Sequence, residues 1–333
     1  MIPWLTFLLC AAAIVVAGIR VAPYGEALGR HLKIGQGWIG LLFLATLTSI
    51  PEMTTTVTGA LIGEPNIALG NAFGSNLFNV AIVSLMDVML LRRGSSFLSR
   101  VKSYHVISGG LAVILTLFAV FGIVVQPTWS VLGISPISWL ILLGYAVGVF
   151  LLFHAERETE TEENVSECGI SLARAAIGFV LCGALVVVAG IFLIHASKEI
   201  AATTRLSSSL VGAILVAIVT SLPELATSIG ALRIGAHDMI VGNLFGSNMF
   251  NILTIFFADA AFRGGSIFSG LTGAAPEQQL IVAGSGMLLT MIAVTGIAVR
   301  SRKRVLGFGV DALAILVTYI AATALIVSRG IDL

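Results

Sequence analysis

The chain alternates long apolar stretches with short polar breaks. Runs long enough to cross about 30 Å of hydrocarbon fall at roughly 3–19, 37–61, 66–91, 105–125, 131–153, 172–196, 209–233, 238–261, 279–299 and 308–328. Lipid offers the backbone no water to bond, so each run is expected to be helical. The pattern predicts an all-α polytopic membrane protein with ten transmembrane helices. The first run carries Ala11, Ala12 and Ala13, but it has no basic leader and continues to Arg20, so it is read as a helix and not a signal peptide. One clearly polar linker, 154–171, holds Glu156, Glu158, Glu160, Glu162, Glu163 and Glu167 and separates two five-span halves, 1–153 and 172–333. It reads as a solvated connector, too short for a separate domain; recruitment of cations to the cytoplasmic mouth is the sharper alternative.

Composition narrows the function classes. Hydrophobic residues make up 57% of the 333 positions and charged residues 11%, with a mean hydropathy of +1.04, whereas soluble domains carry about 25% charged residues. Soluble, nucleic-acid-binding and disordered classes are excluded. A net charge of +1 selects no partner, but its distribution does set an orientation. Of the 18 Lys and Arg, only Lys198, Arg205, Arg263 and Arg329 fall on one side of the ten spans. The other fourteen mark the cytoplasmic side, which predicts a multi-pass protein of the cell (inner or plasma) membrane with both termini outside. Cys10, Cys168 and Cys182 form neither a disulfide framework nor a metal spacing.

The chain contains an internal repeat. A shift of 172 residues lays Thr48-Ser49-Ile50-Pro51-Glu52 on Thr220-Ser221-Leu222-Pro223-Glu224. It also lays Gly70-Asn71-Ala72-Phe73-Gly74-Ser75-Asn76-Leu77-Phe78-Asn79 on Gly242-Asn243-Leu244-Phe245-Gly246-Ser247-Asn248-Met249-Phe250-Asn251. The copies span about 38–87 and 210–259 and share 18 identities over 50 ungapped positions. Five spans separate equivalent positions, and five is odd, so the two copies are expected to cross the membrane in opposite senses. Two inverted five-helix repeats are the plan of secondary transporters, whose sites form where the repeats meet near the midplane.

The duplicated residues carry the chemistry. Glu52 and Glu224 lie inside apolar spans, where a carboxylate costs about 2.5–3.5 kcal/mol on insertion scales, and no Lys or Arg lies at a comparable depth. A cation or proton is the missing charge. Pro51 and Pro223 free the carbonyls of Leu47 and Val219 from their helical partners. Ser49 and Thr48 lie three and four residues before Glu52, and Ser221 and Thr220 repeat this before Glu224. Asn71, Ser75 and Asn79 step by four along the partner helix, as do Asn243, Ser247 and Asn251. Gly70, Gly74, Gly242 and Gly246 are expected to bring each stripe against the broken helix of its own copy. Carboxylates, amides, hydroxyls and carbonyls, with no sulfur or imidazole, suit a hard cation. Ca²⁺ takes six to eight oxygens at about 2.3–2.6 Å.

With these motifs, the sequence resembles the calcium/cation antiporter superfamily, specifically its sodium/calcium exchanger-like prokaryotic branch. The resemblance covers essentially the whole chain and implies exchange of Ca²⁺ for Na⁺ by alternating access, with no enzymatic chemistry and no cofactor. It implies a central site of Glu52, Ser49, Glu224 and Ser221, with Ser75, Asn79, Ser247 and Asn251 around it. Thr48, Thr220 and the carbonyls of Ala45 and Ala217 are implied to serve flanking Na⁺ sites. A two-helix unit, spans one and six, is implied to slide and gate them. Some prokaryotic members carry Asp where this chain has Asn251, so the site here keeps two carboxylates. The proton-coupled branch shows an acid within the Gly-Asn motif, and none lies in 70–79 or 242–251, which favours Na⁺ over H⁺. H⁺- or K⁺-coupled transport, a cation channel and an intramembrane hydrolase are the competing readings. The remaining polar residues are assigned bland roles: helix caps for Asn66 and Asp238, interfacial solvation for Asp87 and Asp259, and interfacial anchoring for Trp4, Trp38, Trp129 and Trp139. His31, His105, His154, His195 and His237 lack metal-ligand spacing.

Overall fold

The computed structural model describes residues 2–90, 96–159, 169–204, 219–305 and 307–329. The described residues are helical apart from connecting loops, a two-stranded hairpin and an isolated bridge between Val131 and Ile134. Its helices are α1 (Ile2–Leu32), α2 (Gln36–Thr48), α3 (Ile50–Leu61), α4 (Pro65–Met89), α5 (His105–Val125) and α6 (Pro136–Thr159). After the linker come α7 (Leu172–Thr204), α8 (Leu222–Arg233), α9 (His237–Ala261), α10 (Ala275–Val299) and α11 (Val310–Ser328). Strands β1 (Arg304–Val305) and β2 (Phe308–Gly309) pair antiparallel just before α11. Eight of these helices are long and apolar enough to cross a membrane. Half of the acidic linker, residues 160–168 with Cys168 among them, and the segment 205–218 lie outside the described residues.

The second predicted span, 37–61, is broken. It ends as α2 at Thr48 and restarts as α3 at Ile50, with Ser49 at φ −91°, ψ 6° between them. Pro51 explains the break: it sits in the first turn of α3, where its missing N–H costs nothing. Ser221 repeats the geometry, φ −93°, ψ 9°, before α8 and Pro223. Residues Ile39–Leu44 of α2 are wound as a π-helix, a rare conformation associated with functional sites. Beyond each break the chain turns through a left-handed glycine, Gly63 at φ +81° and Gly235 at φ +77°, which are equivalent positions of the repeat.

Packing puts α9 and α4 at the centre. Buried residues make up 94% of the membrane window of α9 and 72% of that of α4, against 28% for α1, α6 and α11, whose apolar side chains face outward. Among the described residues, the nearest neighbours of the glycines of α9 lie in the other copy's broken helix. A Cβ at Gly242 would overlap the Gly37 carbonyl and one at Gly246 the Leu41 carbonyl, both in the other copy's α2. Gly40 in turn backs onto the Met239 carbonyl. The small-residue stripe therefore joins the two repeats, because backbones this close require glycine on both helices. On the other side of the bundle, α1 lies along α7 and α8.

The helix ends are tied by buried side chains that the sequence reading had assigned to solvent or caps. Asp87, fully buried, accepts from Phe97 N and Gly309 N at 2.8 Å each and pairs with Arg304 at 3.0 Å. Asp259, also fully buried, accepts from Ser135 N, Ser138 Oγ and Ile267 N, each at 2.7 Å. Neither is solvated at an interface; each joins loop backbone to a helix end, where unpaired amides would otherwise be buried. Asn66 and Asp238 do not cap their helices either. Gln279 Nε2 donates to Asn66 Oδ1 at 2.6 Å, while Asp238 Oδ1 accepts from Lys102 N at 2.7 Å and lies 3.5 Å from His105 Nε2. Trp38 is buried, 5.3 Å from the Phe153 ring, and not at an interface.

Candidate cation site

The two breaks and the two central helices converge. Thr48, Ser49, Glu52, Ser75, Asn79, Thr220, Ser221, Glu224, Ser247, Asn251 and Ala45 are all buried, with no more than 3% of any of them exposed. Ala217 lies outside the described residues. Ser49, on the turn that begins α3, donates to Glu224 Oε1 at 3.4 Å, and Ser247 of α9 donates to the same oxygen at 3.5 Å. Because Ser49 sits three residues before Glu52, this contact brings the two acidic copies to one place. Thr48 Oγ1 lies 3.4 Å from the Ala45 carbonyl and 3.4 Å from Ser247 Oγ. Asn71 Nδ2 donates to the Glu52 carbonyl at 3.1 Å, anchoring α4 to α3, and Asn243 Nδ2 donates to Thr227 Oγ1 at 3.1 Å, anchoring α9 to α8.

What remains unpaired is nearly all acceptor. Both carboxylate oxygens of Glu52, Oε2 of Glu224, Oδ1 of Asn79, Oδ1 of Asn251 and Oγ of Ser221 are buried without a hydrogen-bond partner among the described residues. A buried, uncompensated carboxylate costs several kcal/mol, so two of them beside orphaned amide oxygens describe a place built for positive charge. The donor set is all oxygen, which suits Ca²⁺ or Na⁺ better than transition metals. Two asparagines to which the sequence analysis assigns no role, Asn76 and Asn248, occupy the contact between α4 and α9. Asn76 Nδ2 donates to the Asn248 carbonyl at 3.1 Å and Asn248 Nδ2 to the Asn76 carbonyl at 3.4 Å. Asn79 Nδ2 donates to Asn248 Oδ1, and Asn251 Nδ2 to Asn76 Oδ1, both at 3.1 Å. Their presence in both copies was the signal that could have found them. A small cavity bounded by Phe73, Asn76, Thr116, Asn248 and Thr290 adjoins this contact. Thr116 and Thr290 turn their hydroxyls onto Ala112 O and Gly286 O, at 2.8 Å each, so that cavity presents no comparable acceptor set.

Comparison with known proteins matches residues 2–155 and 174–330 to the family described as sodium/calcium exchanger protein. The chain belongs to that family. It is a cation antiporter, a transporter and not an enzyme. Among curated relatives, the putative antiporter CaxA of Alkalimonas amylolytica is 29% identical over 70% of this exchanger-family chain and 72% of its own. The sodium/calcium exchanger MaX1 of Methanosarcina acetivorans is 25% identical over 69% and 74%. Among solved structures, the sodium-calcium exchanger NCX_Mj superposes with a TM-score of 0.72 at 22% identity, covering 97% of this chain and 98% of that one. That likeness concerns the fold.

Proposed function

We propose that this family member exchanges Ca²⁺ for Na⁺ across the membrane by alternating access at a single carboxylate site near the bilayer midplane. The observation that carries the reading is the convergence of unpartnered buried acceptors on the two glutamates. Glu52 and Glu224 are the Ca²⁺ ligands, whose two charges neutralise one Ca²⁺ or a pair of Na⁺. Ser49, Ser221, Ser75, Ser247, Asn79 and Asn251 complete the oxygen shell. Thr48, Thr220 and the carbonyls of Ala45 and Ala217 serve Na⁺. MaX1 and NCX_Mj, both named as sodium–calcium exchangers, support the choice of ions.

The proposed frame is two inverted five-helix halves joined by the linker 154–171, giving ten spans with α2 and α3 as one and α8 completing another. Contacts at the helix ends support the inversion. The C-terminal end of α4, at Asp87, meets Phe97 and β2, and the N-terminal end of α9, at Asp238, meets Lys102 a few residues further on. The opposite ends meet the start of α10: Gln279 bonds Asn66, and Ile267 bonds Asp259. These contacts support an antiparallel course for the equivalent helices of the repeat. Alternating access is assigned to the pair α1 and α7. A Cβ added at Gly18 would fall 2.6 Å from the Ala226 Cβ, one at Gly230 2.5 Å from the Ile19 carbonyl oxygen and one at Gly190 2.7 Å from the Pro51 ring, so only glycine fits at these contacts. Side chains do not interlock at these positions, so the pair has smooth tracks past both broken helices.

The test is flux into vesicles reconstituted with the purified protein. An outward Na⁺ gradient is expected to drive Ca²⁺ uptake, and Glu52→Gln or Glu224→Gln is expected to abolish it. Uptake that follows a pH or K⁺ gradient and ignores Na⁺ reassigns the coupling ion; Ca²⁺ flux with no coupled ion replaces the antiporter with a channel.

A further inference from the structure

We propose that Asn76 and Asn248 are positioning residues that fix which atom of Asn251 and Asn79 faces the cation. The inference rests on the proposed cation site, since it concerns how two of that site's ligands are held. An asparagine amide ends in an oxygen that accepts and a nitrogen that donates, and the two have nearly the same shape. An asparagine in a cation site therefore needs something to set its orientation: turned one way it offers a lone pair, turned the other it presents an N–H to a positive charge.

The four amides between α4 and α9 settle the orientation through their ends. The main-chain carbonyl of Asn248 can only accept, so the Asn76 group that approaches it at 3.1 Å is Nδ2. Oδ1 of Asn76 is then directed to Asn251, 3.1 Å away, and can only receive that residue's Nδ2. The remaining atom of Asn251 is its Oδ1, the one left without a partner. The same chain runs in the other direction. The Asn76 carbonyl fixes Nδ2 of Asn248, Oδ1 of Asn248 receives Nδ2 of Asn79 at 3.1 Å, and Oδ1 of Asn79 is left free. Each repeat thereby orients the ligand of the other. All four residues are at most 6% exposed, so water does not compete for these bonds. The quartet delivers two amide oxygens to the site with neither rotamer searching nor a further charge.

The test separates positioning from packing. Asp has two equivalent oxygens and needs no orientation, so Asn251→Asp removes the reason for the Asn76 pin and Asn79→Asp removes the reason for the Asn248 pin. Ca²⁺ affinity is read as the KM of Na⁺-driven uptake and, separately, as Ca²⁺ binding to the detergent-purified protein. In the parent chain, Asn76→Ala is expected to weaken Ca²⁺ by roughly 10–100-fold, the range seen when groups supporting metal ligands are removed. In an Asn251→Asp background, itself measured alone, the same Asn76→Ala change is expected to cost less than threefold, and Asn248→Ala is expected to behave likewise against Asn79→Asp. An equal loss in both backgrounds, or no loss in either, overturns the proposal. Should Asn76→Ala fail to fold, Asn76→Ser, which keeps a small donor against the Asn248 carbonyl but no oxygen for Asn251, carries the same comparison. Glu52→Gln, run alongside, tells the two readings apart: if it leaves uptake intact the cation site itself is wrong, whereas if it abolishes uptake while the Asn pairs show no coupling, only the positioning role is lost.

Discussion

Ser49 reaches from the helix break that leads into Glu52 and donates to Glu224 at 3.4 Å, while the Glu52 carboxylate accepts from no described residue. The equivalent acids are therefore unequally dressed: Glu224 shares its charge with the hydroxyls of Ser49 and Ser247, and the Glu52 carboxylate is bare among the described residues. Hydrogen bonds to a charged group contribute about 1.5–3 kcal/mol. At this length the lower end applies, so Ser49→Ala is expected to raise the Ca²⁺ KM about tenfold with the protein still folded. The bare carboxylates also predict a linkage effect. Ca²⁺ at a hundred times its dissociation constant adds about 2.7 kcal/mol to the folded state, a rise in melting temperature readable in detergent that Glu52→Gln should eliminate. At this scale the sequence was highly legible. A duplicated acid in an apolar span brings its oxygen donors along at helical spacing, and eleven of the twelve proposed ligands prove buried together. Asn76 and Asn248 were passed over because they fall off the four-residue step that Asn71, Ser75 and Asn79 follow. Their bonds run between repeats, which spacing within one helix does not encode.

Along the helices, proline and glycine placement was readable while partner choice was not. Pro51 and Pro223 announce the breaks, yet the π-helical turn at Ile39–Leu44 has no such signature, and the glycine stripe of α9 turned out to serve the other repeat. The difference is physical: a break is local to the backbone, whereas a stripe of small residues says only that something comes close. Gly242→Ala is consequently expected to lower the melting temperature sharply, because a Cβ there overlaps the Gly37 carbonyl and a backbone cannot move aside as a side chain can. Gly110→Ala, with open space around it, should be neutral or slightly stabilising through helix propensity. Asp87 and Asp259 were read as solvated because acids near a span end usually are. Several backbone amides from distant loops bury them instead, and no local pattern reveals that. Asp259→Asn keeps one acceptor and loses the charge that strengthens the rest. A cost of about 2–3 kcal/mol is expected, visible as a lower melting temperature with the Ca²⁺ KM unchanged, since Asp259 contacts loops and not the glutamates.

For the molecule as a whole, the charge asymmetry and the tertiary contacts are independent lines that can be set against each other. Positive residues predict that the ends of α4 and α10 and the starts of α5, α9 and α11 lie on the cytoplasmic side. The structure joins members of that group: Arg304 to Asp87, Lys102 to Asp238, and Arg300 Nη2 to the Val101 carbonyl at 3.4 Å. The residues assigned outside join one another as well, with Arg329 at 3.7 Å from Glu277 and Ser135 bonded to Asp259. Among the described residues no contact of this kind crosses between the two groups, as expected if a membrane's thickness separates them. The contacts fix which ends belong together, and the positive charges predict which group faces the cytoplasm. α5 offers the cleanest check, because Ser103 lies exposed before its first turn and Ser130 exposed after its last. In a chain with Cys10, Cys168 and Cys182 replaced, Ser130→Cys is expected to react with a membrane-impermeant maleimide on intact cells, and Ser103→Cys only after permeabilisation. The reverse pattern would invert the protein while leaving the repeat arrangement intact. Labelling of both from one side would mean that α5 does not span, and with it would go the odd number of crossings on which the proposed inversion of the two acidic copies depends.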